Sequence, residues 1–343
     1  MIRFLFTLVV VFLLATVLPE VQAADGTPPK AAELVSDGQV INLASQRYQE
    51  LFKELREKHS FTQEELDRIF AGVAIKQRVL ELMDTQWEAK PYYLYFPRFI
   101  TPRVIAEGRQ KLAENKELLD RVEAELGVAR EVVVAIWGIE SKFGQHKGAF
   151  NLFQTLNTMF DAYPRRSNFY RGQLVSFLVL CKENNVDPLS VTGSYGGAFG
   201  QTQFIPSSFR EYAVDFDKDG SRDVWSSTPD VLASIANYLH RFGWVFRGPI
   251  YHEIGSYLKD DMLKAAYDKG RKGLVPVGEV ARIQGVSLPA SPENKDVTIV
   301  GLELEDGGMR YVAGYPNFQA ITAWNNSNRY AMAVTELSEK LKH

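Results

Sequence analysis

Disulfides are excluded at the outset, because the 343-residue chain carries a single cysteine, Cys181, and one thiol cannot pair within its own chain. Its setting, QLVSFLVLC, is apolar, which marks a buried core residue and not a nucleophile. An excess of one charge is also missing: 39 basic and 42 acidic residues leave a net charge of -3. General attraction to nucleic acid is therefore excluded. No internal repeat or low-complexity stretch is present. The one long apolar run, Phe4 to Leu18, lies at the very start, behind Arg3 and ahead of Val21-Gln22-Ala23. That pattern reads as a signal peptide over 1–23, cut after Ala23. The run is short for a membrane span, and no cysteine near the cut offers a lipid anchor. The expected product is a soluble exported protein without a transmembrane segment. With 45% hydrophobic and 24% charged residues, it can bury a full core and build two or more lobes.

The organisation follows from periodicity. Residues 24–40 are small and polar and read as a flexible leader. From about Ile41 the pattern is helical, with Thr62 to Glu65 as a capping box ahead of Leu66, Ile69, Phe70 and Val73. The aromatic stretch Tyr92 to Phe99, broken by Pro91 and Pro97, reads as a loop. A helix is expected from Pro102 to Leu126, stopped by Gly127. A second follows and stops at Gly144. Further helices are expected near 170–184, 229–242 and 330–342. Val297 to Leu302 and Met309 to Val312 read as strands around an Asp306-Gly307-Gly308 turn. The class is mainly α, with a minor β insertion (α+β). The expected divisions are an N-terminal helical region 41–127, a core 128–245, a small β-containing lobe 246–314 and a C-terminal segment 315–343.

Three features carry chemistry. In Val132 to Gly144, VVVAIWGIESKFG, one carboxylate, Glu140, ends an apolar helix. Desolvation keeps such a carboxyl protonated to higher pH, which is how a general acid is made from Glu. The turn from Gly193 to Pro206 packs glycines with polar residues and brings backbone close to a ligand. There Ser194 and Gln203 would be presented. In Asp215 to Asp223, DFDKDGSRD, acids stand at positions 1, 3 and 5 with glycine at 6. That opens an EF-hand calcium loop, with the Ser221 carbonyl and Asp223 as further donors. Position 12 is Ser226 and not the bidentate Glu.

Taken together, Glu140-Ser141 before Gly144 and the later Ser194-Tyr195-Gly196-Gly197-Ala198-Phe199-Gly200-Gln201-Thr202-Gln203-Phe204-Ile205-Pro206-Ser207-Ser208 resemble the lytic murein transglycosylase B family, glycoside hydrolase family 103. Tyr163 to Arg166, Tyr212 to Phe216, Tyr315 to Phe318 and Asn325-x-Ser327-x-x-Tyr330-Ala331 extend the resemblance. It implies a goose-type lysozyme-like core that cleaves the β-1,4 bond between N-acetylmuramic acid and N-acetylglucosamine and leaves a 1,6-anhydro end. Glu140 matches the family's acid, Ser194 the serine beside it, and Gln203 a substrate-contacting glutamine. Tyr95, Tyr238, Asn317 and Tyr330 resemble cleft residues. Arg165 and Arg166 resemble a pair that meets the acidic peptide stems. The family's calcium loop takes a later acid, here Asp230, beside Asp215, Asp217, Asp219 and Ser221. Whether Asp230 or Asp223 completes it stays open. Partners implied are peptidoglycan strands and stems and cell-wall remodelling proteins, and the location implied is the periplasm. Gly196 and Phe199 depart from the family's more usual alanine and methionine, which bears on cleft shape. No cell-wall-binding repeat is appended.

Two competing readings share the fold: a muramidase that admits water, and a non-catalytic glycan-binding protein, which would have no need of Glu140. A calcium-dependent structural protein would leave the turn from Ser194 to Ser208 unexplained. No second acid sits in a matching motif, with Asp161 and Asp187 left open.

Overall fold

The computed structural model describes residues 30–84, 90–291, 293 and 295–342. The signal peptide 1–23 and residues 24–29 of the leader lie outside them. The chain is mainly helical, with six short strands among the described residues: β1 (Phe150–Asn151), β2 (Thr192–Gly193), β3 (Tyr251–Gly255), β4 (Leu274–Pro276), β5 (Asp296–Glu303) and β6 (Met309–Gly314).

The apolar helix Arg130–Ser141 runs through the middle of the main core, where Val132 to Gly138 are all buried. Helices Asn328–Leu341, Thr228–Arg241 and Pro102–Glu114 pack around it. A sequence apolar on every side demands such a position. Leu152–Ala162 and Ser167–Glu183 pack against each other beside it. The N-terminal helix Gln46–His59 seals them: the Tyr48 hydroxyl donates to Asn157 at 3.1 Å, inside a cluster of Phe52, Phe70 and Phe160. The capping box is present, with Glu65 N–H donating to Thr62 Oγ1 at 3.1 Å and Thr62 N–H to the Glu65 carboxylate at 2.8 Å.

Three local expectations change. The helix expected over 102–126 is two, Pro102–Glu114 and Lys116–Leu126. Asn115 breaks it, turning its amide back to the Lys111 carbonyl at 2.9 Å, as asparagine does when it competes with the helical ladder. The Tyr92 to Phe99 stretch is not a loop. It forms a helical turn, Tyr92–Tyr95, and a 3-10 turn, Phe96–Arg98. Pro91 and Pro97 stand at the starts of these turns, where a missing N–H costs nothing. The acid helix ends at Ser141, not Gly144, because Lys142 and Phe143 both take left-handed backbone conformations, φ 49° and 57°.

A four-stranded antiparallel sheet, ordered β3-β6-β5-β4, occupies residues 251–314. The Asp306 turn joins β5 to β6, with Gly307 at φ 81° and Gly308 N–H donating to the Asp306 carboxylate at 2.8 Å. Strands β3 and β4 add to the two that the sequence pattern predicts. The lobe has its own small core, including Leu263, Val280, Val297 and Ile299. Arg310 on β6 fastens it to the C-terminal helix, donating to Glu253 at 2.6 Å and to Glu336 at 2.5 Å.

Candidate active site

Glu140 sits at the last turn of Arg130–Ser141, and the structure fixes that turn from both sides. Trp137 Nε1 donates to Gln201 Oε1 at 2.9 Å, and Gln201 Nε2 donates to the Trp225 carbonyl at 3.0 Å. Gly144, at φ +88°, lies so close to the Gln201 amide that a side chain there would collide with it. Ser141 Oγ accepts from Gly144 N–H at 3.0 Å, and the Phe143 ring meets Trp137 edge-on at 5.6 Å. The acid helix is thereby joined to the glycine-rich turn.

That turn is a folded loop held by β1 and β2 and by isolated bridges from Phe199 to Gly193 and Phe204. Ser194 Oγ accepts from Ala198 N–H at 3.1 Å. Gln203, at φ +49°, donates to the Gly200 carbonyl at 2.9 Å. Both line a cleft of about 850 Å³ that also contains Glu140.

Tyr330 is buried, and its hydroxyl donates to Glu140 Oε1 at 2.5 Å. Ser327 caps its helix, accepting from Tyr330 N–H at 3.2 Å. Glu140 keeps an opening to the cleft, while protein surrounds the rest of its carboxyl. Burial raises its pKa to about 7, against the opposing pull of the hydrogen bonds from Tyr330 and Trp324. Desolvation dominates because one or two donors replace only part of a carboxylate's water shell.

The remaining predicted residues divide. Arg166 lines the cleft, its guanidinium 4.3 Å from the Phe169 ring centroid and 5.4 Å from that of Tyr170. Its neighbour Arg165 is exposed and outside the cleft lining. Tyr95 packs against Phe99 with ring centroids 5.0 Å apart and is not among the residues that line the cleft. Tyr238 is buried behind the cleft, donates to the Ala323 carbonyl at 2.9 Å and braces Trp324 edge-on at 4.7 Å. Asn317 is fully buried and away from the cleft. It accepts from Val245 N–H at 2.6 Å and donates to the carbonyls of Val245 and Gly248. Its work is to hold that loop. Two residues escape the sequence reading. Trp324 and Gln201 touch or anchor the acid, and only the tertiary pairing reveals them, since neither stands in a pattern of its own. Asp161 sits near Arg47, and Asp187 lies on the loop after Ser167–Glu183; neither lines the cleft. Among the described lining residues the carboxylates are Glu140 and Glu303, and Glu303 is paired with Arg329.

In the acidic loop, carboxylate oxygens of Asp215, Asp217 and Asp230 lie within 4.8 Å of one another. Asp230, from the first turn of Thr228–Arg241, is fully buried and accepts from the N–H groups of Phe216 and Asp223 at 2.7 Å each. Asp223 instead accepts from Trp225 and Ser226 N–H at 2.7 and 2.9 Å. Partial burial pushes its carboxyl up, but those bonds, led by Ser226, outweigh it and hold the group below the usual range. The convergent acid is thus Asp230. Asp219 spends one oxygen on Ser221 N–H at 2.8 Å and stands outside the converged trio. Three convergent carboxylates suit a hard cation that takes oxygen ligands.

Known proteins place the chain. Residues 44–339 match the Transglycosylase SLT domain family SLT_2. The chain is similar to membrane-bound lytic murein transglycosylase B of Escherichia coli strain K12, 32% identical over 308 residues, 85% of this chain and 81% of the relative. The structure of the Escherichia coli lytic transglycosylase Slt35 in complex with calcium matches with TM-score 0.77 and 30% identity, covering 89% of this chain and 95% of that one. The structure of Pseudomonas aeruginosa SltB3 in complex with NAG-anhNAM-pentapeptide matches with TM-score 0.73 and 31% identity, covering 87% and 79%. The expected lysozyme-like, mainly helical class holds, and a chain matched by the family model over nearly all its described residues belongs to the SLT_2 transglycosylase family.

Proposed function

We propose that this lytic transglycosylase uses Glu140 as acid and then as base to cleave the β-1,4 bond between N-acetylmuramic acid and N-acetylglucosamine. The observation that carries the reading is the Glu140 carboxyl in the cleft, pushed to about 7 by burial and held by the Tyr330 hydroxyl. The protonated acid gives its proton to the glycosidic oxygen, and the bond to the muramic carbon breaks with oxocarbenium character or with help from the N-acetyl oxygen. Ionised Glu140 then takes the proton of the same sugar's 6-hydroxyl, which closes on that carbon. The nucleophile is already attached, so its effective concentration is high and water is not needed. Hydrolytic glycosidases ordinarily set a second carboxylate across the bond. The other carboxylate of the cleft, Glu303, is engaged with Arg329 and with Tyr92 N–H, which supports a one-acid route.

Ser194 and Gln203 line the cleft with the acid and suit the hydroxyl and amide groups of the sugars; Tyr95 would act from the neighbouring helical turn, and Tyr238 behind Trp324. Arg166 offers a cleft guanidinium to stem carboxylates, which guanidinium geometry matches; the pentapeptide bound in the SltB3 complex supports that use. Asp215, Asp217 and Asp230 would hold calcium, with Asp219 and Ser221 nearby, and the ion would brace the start of Thr228–Arg241 and so the wall containing Tyr238. The calcium complex of Slt35 supports the choice of ion. No helix among the described residues is long and apolar enough to cross a membrane. The signal-like start and the cell-wall substrate support a soluble periplasmic enzyme. Mass spectrometry of products from purified peptidoglycan tests the reaction. Anhydro-muropeptides from the native enzyme, absent with Glu140→Gln, are expected. Reducing ends would make it a muramidase, and glycan binding without product a binding protein.

A further inference from the structure

The β lobe lies away from the acid helix, yet it supplies one wall of the cleft through Tyr267, Gly301 and Glu303. None of these is needed to hold or protonate Glu140. Tyr267 lies in the last turn of the helix Asp261–Asp268 and is 36% exposed. Its ring is fixed from behind. It meets Tyr311 edge-on at 5.7 Å and lies against Gly301 of β5 so closely that a Cβ there would come within 2.8 Å of Tyr267 Cε2. A glycine inside a strand weakens the strand and marks close approach of another group. Here that group is the Tyr267 ring. Beside the ring stand Glu303 and Arg329, with Arg329 Nε 3.3 Å from the carboxylate and both side chains about one-third exposed. A rigid aromatic face flanked by hydrogen-bonding groups is the chemistry that receives a pyranose ring. The ring takes the C–H face, and the polar groups take hydroxyl and amide.

Building on the proposed function, we propose that Tyr267, with Glu303 and Arg329 at its edge, forms a sugar subsite by which the β lobe grips the N-acetylated glycan strand remote from the bond that is cut. The lobe then extends the binding surface, and its contribution appears in affinity for the strand.

The test is calorimetric titration of Glu140→Gln protein with chitohexaose, the peptide-free hexamer of N-acetylglucosamine, in three forms: no further change, Tyr267→Phe and Tyr267→Leu. Leucine covers Gly301 but has no planar face. Loss of one stacked sugar should weaken binding about tenfold in the Leu form, and the Phe form should stay within about twofold of the parent. Thermal melts run alongside confirm that all three are folded. Equal affinity of the Leu form and the parent would overturn the subsite and leave the proposed reaction standing. An equal fall in the Phe and Leu forms would overturn the stacking face. Absence of hexamer binding by the Glu140→Gln parent would instead bring down the glycan-cleft reading, and the subsite with it.

Discussion

Two regions of this molecule hold carboxylates out of bulk water to opposite ends. At the end of the apolar helix, Glu140 has a buried carboxyl, a hydroxyl donor from Tyr330 and help from Trp324, and no cation among the described residues moves its pKa. In the acidic loop, Asp215 and Asp230 are each wrapped by backbone N–H groups, and their oxygens converge with those of Asp217. The first arrangement suits a proton donor; the second suits a positive ion. Burial alone does not distinguish them, since Asp230 is the more buried residue. Burial raises the Asp230 carboxyl as well, and the N–H groups of Asp223 and Phe216 offset that only in part; what sets the loop apart is that it brings the oxygens of three carboxylates together.

The largest effect that could break this contrast is on turnover. Glu140→Gln should cost about 100- to 10,000-fold in rate, the span of general acid–base catalysis, measured on purified peptidoglycan strands. Retention of ordinary activity would show that the proton comes from elsewhere. The same substitution sharpens the comparison through stability. The folded protein holds the Glu140 proton up to about pH 7, while an exposed Glu releases it near 4.5. Between those values the folded state binds more protons, so stability falls as pH rises. Glutamine does not titrate. Its advantage in urea unfolding should therefore grow from pH 4.5 to 7 and level off at about 3 kcal/mol. A pH-independent difference would mean that the acid is well solvated.

The metal side comes next in size. Calcium should raise the melting temperature of the native protein, and Asp215→Asn with Asp217→Asn should abolish that rise. At a hundredfold excess over the dissociation constant that rise corresponds to about 2.7 kcal/mol. Identical calcium responses in native and doubly substituted protein would leave the three convergent carboxylates without a cation.

Much of this is legible in the sequence, for physical reasons. An apolar run of this length predicts a buried helix, and Arg130–Ser141 is that helix. The spacing of Asp215, Asp217 and Gly220 is short-range, so the loop geometry follows from local sequence. Capping at Thr62 is local in the same way. What stays hidden depends on distant pairings. Trp324 and Gln201 reach the acid helix from elsewhere in the chain. Asn317 resembles a cleft residue, yet its amide is spent on Val245 and Gly248. The edge strands β3 and β4 are short, and β4 carries Pro276 in a position only its pairing with β5 explains. The helix break at Asn115 turns on one side-chain bond to Lys111.

The finest test of the contrast is Tyr330→Phe. Phenylalanine keeps the buried packing and removes only the donor to Glu140. That donor favours the ionised acid, so its loss should raise the Glu140 pKa further above 7. A hydrogen bond to a charged group is worth roughly 1.5–3 kcal/mol, and one pKa unit is about 1.4 kcal/mol. The high-pH limb of kcat/KM, where the acid loses its proton, should thus move up by about one to two units. Proton donation would persist to more alkaline pH, but the acid would be weaker at any pH where both forms are protonated. An unmoved limb would reduce Tyr330 to packing and leave desolvation alone to set the acid. A downward shift would mean that the hydroxyl accepts from a protonated Glu140 and does not donate to it, which reverses the direction of the hydrogen bond on which the acid-then-base cycle rests.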